Sequence, residues 1–356
     1  MPGRDVYLVL GGNGFIGRHI VECLLERKDQ VSVFDIVQSY HDVPYYLGDI
    51  RDQQQVADVL EKVVRQTKAS CIIHAVSPLS TKHLDNPRIY YSVNVEGTKA
   101  VIAAAIAGRV RKLVYTSTAG VVFNGRDIVN GDETLPYPSK HLDAYTESKA
   151  LAEQRVLAAN GNGGLMTVSI RPAGVFGPGD RETITGAYHA FERGLTHIQL
   201  GNNTNLFDRT YVGNVAYAHI LAADKLDDPE ISTHLAGEAF IINDGDPVPF
   251  WNHMRDIWAI FYEVLPSRKE PRRTIIIPRT FALLLAYVVV FVSRIFRRTE
   301  TTFTPHSVTF ATTTMYFSND KARRVLGYEP KISVDEGLRR TAMWFKSTVG
   351  NGHKSA

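Results

Sequence analysis

The stretch VYLVLGGNGFIGRHIVECLLERKDQVSVFD, residues 6–35, constrains the fold more than any other. Val6 to Leu10 is a short apolar run, suited to a buried strand and too short for a helix. It runs into Gly11-Gly12-Asn13-Gly14-Phe15-Ile16-Gly17, which opens a helical pattern with Ile20, Leu24 and Leu25 on one face. A second apolar run, Val31 to Phe34, ends on Asp35. That order predicts strand, glycine turn, helix, strand. Gly11 can supply the tight turn, Gly14 lets a backbone approach a pyrophosphate, and Gly17 lets the helix pack close on the strand. The first amides of the helix and its dipole then favour phosphate. Asp35 is placed to accept from an adenosine ribose, and its charge repels a 2′-phosphate, which favours NAD over NADP. The spacing is G-x-x-G-x-x-G rather than G-x-G-x-x-G, so the signal rests on the flanking strand, helix and acid. The bland alternative is a glycine-rich turn that binds nothing.

Apolar runs and helical patterns keep alternating after Asp35. Strands are expected at Tyr45–Leu47, Cys71–Ala75, Lys112–Thr116 and Thr167–Ile170, and helices at Gln53–Gln66, Tyr91–Ile106 and Ala144–Ala158. This predicts an α/β fold with a Rossmann-type, doubly wound parallel sheet, whose ligands lie beyond the carboxyl ends of the strands. Beyond the Gly/Pro loop RPAGVFGPGD (171–180) the pattern loosens, with helices expected at Gly213–Leu226 and Phe250–Val264 and a strand at Ala239–Ile242. We divide the chain into a cofactor-binding domain, residues 1–180, and a smaller substrate lobe, residues 181–356, some of whose elements return to the sheet. A formal net charge of +3 gives no reason to expect nucleic acid. Cys23 and Cys71 read as small apolar residues, and the first strand begins with no signal-peptide pattern before it, so a reducing compartment is expected. The twelve His lack ligand spacing, and no metal is expected.

Residues 275–298, IIIPRTFALLLAYVVVFVSRIFRR, are the compositional outlier. The fourteen residues between Arg279 and Arg294 carry no charge. As a helix they reach about 21 Å, short of a roughly 30 Å hydrocarbon core. Three readings stand: a helix buried in the small lobe, attachment to a membrane surface with RIFRR on anionic headgroups, and a full span.

Tyr145-Thr146-Glu147-Ser148-Lys149 carries the chemistry. Tyr and Lys four apart share a helix face. A nearby ammonium favours phenolate over phenol, which makes Tyr145 a credible general base for an alcohol that loses hydride. Such a pair is common on exposed helices, and its value comes from the hydroxyl cluster Tyr115-Thr116-Ser117-Thr118 at a strand end. Strand alternation points Thr116 and Thr118 the same way, and Thr118 is our choice to hold the substrate oxygen.

With GGNGFIG, Asp35, GDI (48–50), HAVSP (74–78), VNVEGT (93–98), YTSTAGVVF (115–123), YTESK (145–149), RPAGVFGPGD (171–180) and TYVGNVAYAHILAA (210–223) in this order, the chain resembles the extended short-chain dehydrogenases/reductases over nearly its full length. GRDIVNGDETLPYP (125–138), HLDAYTESKALAE (141–153) and the late apolar segment are similar to the 3β-hydroxysteroid dehydrogenase branch, and within it to the decarboxylating sterol-4α-carboxylate 3-dehydrogenases. The resemblance implies that Tyr145 is the base, that Lys149 is its partner and also holds the nicotinamide ribose, and that Thr118 orients the substrate. It implies that Gly11, Gly14, Phe15, Ile16 and Gly17 hold the pyrophosphate and Asp35 the ribose. Asp49 and Ile50 would flank adenine, Ala75 and Val76 line the cofactor, and Asn94 sit below it, with Thr116 and Pro172 also at the cofactor. The implied reaction is NAD-dependent oxidation of a 3β-hydroxyl in a 4α-carboxysterol with loss of CO₂, in C4 demethylation during sterol biosynthesis. Val121, Val122, Phe123, Phe176 and Phe207 are candidates for a greasy sterol pocket. Also implied are a homodimer, an endoplasmic reticulum membrane surface with the catalytic domain facing the cytosol, and other C4-demethylation enzymes as partners. Two alternatives remain. One is a sugar-nucleotide epimerase or dehydratase, for which Arg209 stands where such relatives often place a phosphate ligand. The other is a non-enzymatic NAD-binding scaffold.

Overall fold

A computed structural model describes residues 5–67, 69–80, 86–265, 270–271, 273–295 and 303–350. Seven parallel strands form the main sheet: β1 (Val6–Leu10), β2 (Gln30–Asp35), β3 (Tyr45–Leu47), β4 (Cys71–His74), β5 (Lys112–Thr116), β6 (Met166–Pro172) and β7 (Glu238–Ile242). Their order is β7-β6-β5-β4-β1-β2-β3. Alternation along each strand feeds two cores. Tyr7, Val9, Val31, Val33, Cys71, Ile73 and Val114 face α1 (Phe15–Glu26) and the later helix Val212–Lys225. Leu8, Leu10, Phe34, Ile72, Leu113 and Tyr115 face α2 (Gln53–Thr67), α3 (Thr98–Ala107) and α4 (Ala144–Ala158). A strand buried on both faces needs helices on both, and these two sets of helices make the sheet doubly wound.

The strand expected at Cys71–Ala75 stops at His74, and the helix expected from Tyr91 is π-helical over Tyr91–Gly97 before α3. Helix α5 (Thr183–Glu192) packs with α7 (Phe250–Val264) and α10 (Val334–Gly350) in the small lobe, while α6 (Val212–Lys225) lies against α1 on the main sheet. The exchange runs both ways along the chain. Strand β7 edges the main sheet, and Ile128–Gly131 pairs in parallel with Met315–Phe317 in a small second sheet.

Ile275–Ile277 pairs with Ile198–Leu200, and α8 (Arg279–Ile295) follows. The small side of α8, Ala282 and Ala286, packs on Leu200 and on Val308 of α9 (Pro305–Thr312). Its large side faces outward: Phe281 is 58% exposed, Leu284 62% and Phe291 65%. The buried-helix reading therefore fails, because α8 seats Ala282 and Ala286, with Leu283 partly covered, and leaves its larger apolar side chains exposed. No described helix is long and apolar enough to cross a membrane. Residues 296–298 of the basic RIFRR run lie outside the described residues.

Candidate active site

The glycine turn has the shape a diphosphate requires. Gly11 has a φ of +80°, and its missing side chain leaves room for the strand β4 exit, since a Cβ there would stand 2.9 Å from Val76 N and 3.0 Å from the Ala75 carbonyl carbon. At Gly17 a Cβ would meet the Gly11 oxygen at 2.0 Å, so only glycine lets α1 start this close to β1. Gly14 caps α1 without any side-chain hydrogen bond, and Phe15, Ile16 and Gly17 form the first turn, whose amides are oriented to receive an anion. Asp35, at the end of β2, accepts from Asn13 N at 2.9 Å and Ile36 N at 2.7 Å. Burial raises its carboxyl above the usual range, and those amides and the nearby Arg181 guanidinium act against that. Asp49 is gripped by Arg51, with Nη2 to Oδ2 at 2.5 Å, and Ile50 is buried beneath Gly97.

Asn94, fully buried on the π-helical stretch, donates to Ser148 Oγ at 2.9 Å. Its Oδ1 and the Ser117 Oγ are buried without a partner among the described residues. Buried polar atoms left unpaired call for a polar partner from outside the protein. The glycine cradle, with the free amides of the first turn of α1 as donors, fits a nicotinamide dinucleotide.

Asp143 caps α4 by accepting from Thr146 N at 2.7 Å, and His306 Nε2 lies 3.1 Å from its carboxylate. The cap sets the first turn, which carries Tyr145. Tyr145 is half-buried, edge-on to Tyr90 at 5.9 Å, and close enough to Ser77 to feel its hydroxyl. Burial and the Glu182 and Asp143 carboxylates hold its phenol above the ordinary value, and Ser77 acts the other way. Lys149, one turn on, is fully buried. Its Nζ donates to the Thr116 carbonyl oxygen and lies 4.3 Å from the Tyr115 ring centroid. Burial lowers its ammonium to about 7, with Glu153 pulling the other way. Lys149 is expected to favour the phenolate together with the positive charge of an oxidised nicotinamide. Its charge is directed at the end of β5, and the cofactor-free site favours phenol.

Thr118 Oγ1 accepts from Gly120 N at 3.1 Å, which leaves its O–H free to donate. A Cβ on Gly120 would lie 3.4 Å from that oxygen and 3.5 Å from the Thr146 methyl, so Thr118 sits against the first turn of α4. The Thr116 hydroxyl instead meets His219 Nε2 at 2.7 Å, so the two threonines do not work on the same side. Strand β5 ends at Thr116, and alternation does not carry past it. Pro172 closes β6 opposite Ile242.

The greasy-pocket candidates are core. Val121, Val122, Phe123 and Phe207 pack together with Ala150 and Ile241, and Phe176 packs with Tyr211 and Val212. Arg209 forms ion pairs with Asp246 at 2.7 Å and Asp256 at 3.0 Å, so its charge is already matched. Sequence reasoning missed the buried Glu153–Arg171 pair behind Lys149, in which Glu153 also accepts from Ser169 and Tyr137, both at 2.6 Å. The i, i+4 spacing of Lys149 and Glu153 was the available signal. Among the described residues no group of three or more His, Cys, Asp or Glu could hold a metal.

The 3-beta hydroxysteroid dehydrogenase/isomerase family matches residues 8–269. The chain is 38% identical to a decarboxylating sterol-4-alpha-carboxylate 3-dehydrogenase of Candida albicans, over 96% of this chain and 98% of that one. It is 40% identical to the enzyme of that name in Schizosaccharomyces pombe, over 97% and 98%. In structure it is similar to a UDP-glucose 4-epimerase of Thermus thermophilus in complex with NAD, with a TM-score of 0.69, 24% identity and coverage of 98% and 99%. At that identity the likeness extends to the fold alone.

Proposed function

The chain belongs to the 3-beta hydroxysteroid dehydrogenase/isomerase family, and from that premise we propose that it is a decarboxylating sterol-4α-carboxylate 3-dehydrogenase. The observation that carries this reading is the 38–40% identity to enzymes of that name over nearly the whole of both chains. The epimerase alternative has only a shared fold behind it, and Arg209 is neutralised by two aspartates. The scaffold alternative leaves the Tyr145–Lys149 pair without a use.

In this reading Thr118 donates to the substrate's C3 oxygen, and Tyr145 removes the proton of the same hydroxyl. NAD⁺ would be held by the glycine turn, Asp35 and Lys149, and it would supply the hydride acceptor and a positive charge that favours the phenolate. Lys149 holds the nicotinamide ribose. The product is a β-keto acid. Its C4–carboxylate bond breaks with the electron pair drawn into the C3 ketone, CO₂ leaves, and C4 then takes a proton. No dedicated decarboxylating residue is needed. The preference for NAD over NADP is supported by the Asp35 carboxylate at the end of β2.

The proposal includes attachment to the endoplasmic reticulum membrane surface with the catalytic domain in the cytosol. The outward row Phe281, Leu284, Val288 and Phe291 supports this, since such a face is costly in water and suits the headgroup boundary. A homodimer is part of the proposal, and its candidate surface is the groove between α3 and α4, where Ile102, Ala103, Ile106 and Ala158 are rimmed by Lys99, Arg155 and Asn162.

The substrate reading is tested by incubating the protein with NAD⁺ and, in parallel, a 3β-hydroxy-4α-carboxysterol, its 4-methyl analogue and UDP-sugars, with products identified by mass spectrometry. A C4-decarboxylated 3-ketone from the first alone supports it. Conversion of a UDP-sugar with an unchanged sterol overturns it.

A further inference from the structure

His219 lies on α6, on the face of the sheet opposite α4, and its side chain is fully buried. Its Nδ1 is 2.8 Å from the Val215 carbonyl oxygen, which can only accept, so Nδ1 carries the hydrogen. Nε2 is then a lone-pair acceptor, and the Thr116 hydroxyl 2.7 Å away must donate to it. Burial, opposed by the Val215 carbonyl and helped by the Lys149 ammonium, holds the imidazole down at about 4, so this neutral tautomer is the working form. The backbone carbonyl of the same Thr116 receives Lys149 Nζ. A line of hydrogen bonds thus crosses the sheet, from the Val215 carbonyl through the imidazole and Thr116 to the ammonium.

Thr116 needs such a hold. It is the last residue of β5 and pairs with Ile170 of β6, whereas the ladder to β4 ends one residue earlier, at Tyr115 and His74. The peptide that receives the ammonium is therefore clasped by the sheet on one side. On the other, His219 fixes the Thr116 side chain, and through it the direction of the carbonyl. We propose that His219 is a positioning residue for Lys149, holding the Thr116 peptide so that the ammonium stands where the nicotinamide ribose and Tyr145 require it. The inference rests on the role given to Lys149 above.

The test is titration of NADH binding by fluorescence across pH 6–9, on variants first verified as folded by thermal melting, with turnover of the 4α-carboxysterol measured beside it. His219→Leu removes the acceptor and strands a buried hydroxyl donor. It is expected to weaken NADH about tenfold and to move the acid limb of the kcat profile upward. Thr116→Val, which removes only the hydroxyl, is expected to do the same, and the double variant to be no worse than either single one. His219→Gln, whose amide oxygen can accept in place of Nε2, is expected to restore binding to within about twofold. If His219→Leu does not fold, Thr116→Val against wild type decides the question. Wild-type NADH affinity and pH dependence in the folded variants overturn the proposal, as do additive losses or a failure of Gln to rescue. A wild type that binds NADH but leaves the carboxysterol untouched defeats the substrate reading, and the NADH titration still decides the role of His219. A wild type that binds no NADH removes the role of Lys149 and the proposal with it.

Discussion

The two ends of β5 each meet a buried lysine, and they treat it differently. Lys112 begins the strand with its ammonium 2.5 Å from Asp5 and 2.5 Å from Asp227, and it also donates to the Ala223 carbonyl at 3.0 Å. Two carboxylates surround one charge, which ties the start of β5 to the residue before β1 and to the end of α6. Lys149 reaches the other end of the strand and finds a neutral carbonyl and the Tyr115 ring. The carboxylate behind it, Glu153, is already committed to Arg171. Burial without an opposite charge of its own makes that lysine responsive, down at about 7. A buried cation matched by fixed carboxylates joins parts of a fold, and one given only neutral partners is left for a ligand and a proton to act upon.

That contrast can be broken at either end. Tyr145→Phe, which removes the base served by the upper lysine, is expected to lower kcat by about 10²–10⁴-fold with stability unchanged, read from initial rates and a melting curve. Lys112→Met at the lower end should do the reverse. It is expected to cost about 3 kcal/mol in urea unfolding, because the buried Asp5 and the half-buried Asp227 lose their partner, while turnover per folded molecule stays near wild type. Arg111 Nη2, 3.3 Å from both Asp5 and Asp227, keeps that cost at the low end. Lys149→Met is expected to lower kcat/KM about 10²-fold through misplacement of the cofactor and phenol, with little change in unfolding. If both lysine variants lost stability alike, the contrast would be void.

The smallest effect is a linkage. Lys149 titrates at about 7 when folded, against an ordinary 10.5. Between those values the unfolded chain keeps a proton that the folded protein has released. The cofactor-free protein therefore gains stability from this group as pH rises through that window, and Lys149→Met lacks the gain. Urea midpoints of the two proteins at pH 7 and pH 9 measure the difference, and parallel midpoints would refute the placement of the ammonium.

The first strand, the glycine turn, Asp35, β5 and the Tyr145 helix were legible because their signals are local, in periodicity, turn chemistry and i, i+4 spacing. What was hidden depends on distant partners. Lys112 meets Asp5 across 107 residues, and no local pattern announces a cluster assembled from three segments. Helical spacing placed Lys149 beside Tyr145 but not the tip of its side chain, which the end of β5 decides. The apolar 275–298 segment left burial, surface attachment and a full span open, and the seating of Ala282 and Ala286 against Val308 reveals which face turns outward. Phe176 and Phe207 carried the composition of a sterol pocket and are core, because composition does not separate a lining from a filling.

The most direct measurement is the stoichiometry of NADH and CO₂ when the detergent-purified protein meets NAD⁺ and a 3β-hydroxy-4α-carboxysterol, with Tyr145→Phe as control. The account predicts one CO₂ for each NADH, and neither from the Tyr145→Phe protein. NADH without CO₂, or undiminished turnover in that variant, would contradict it.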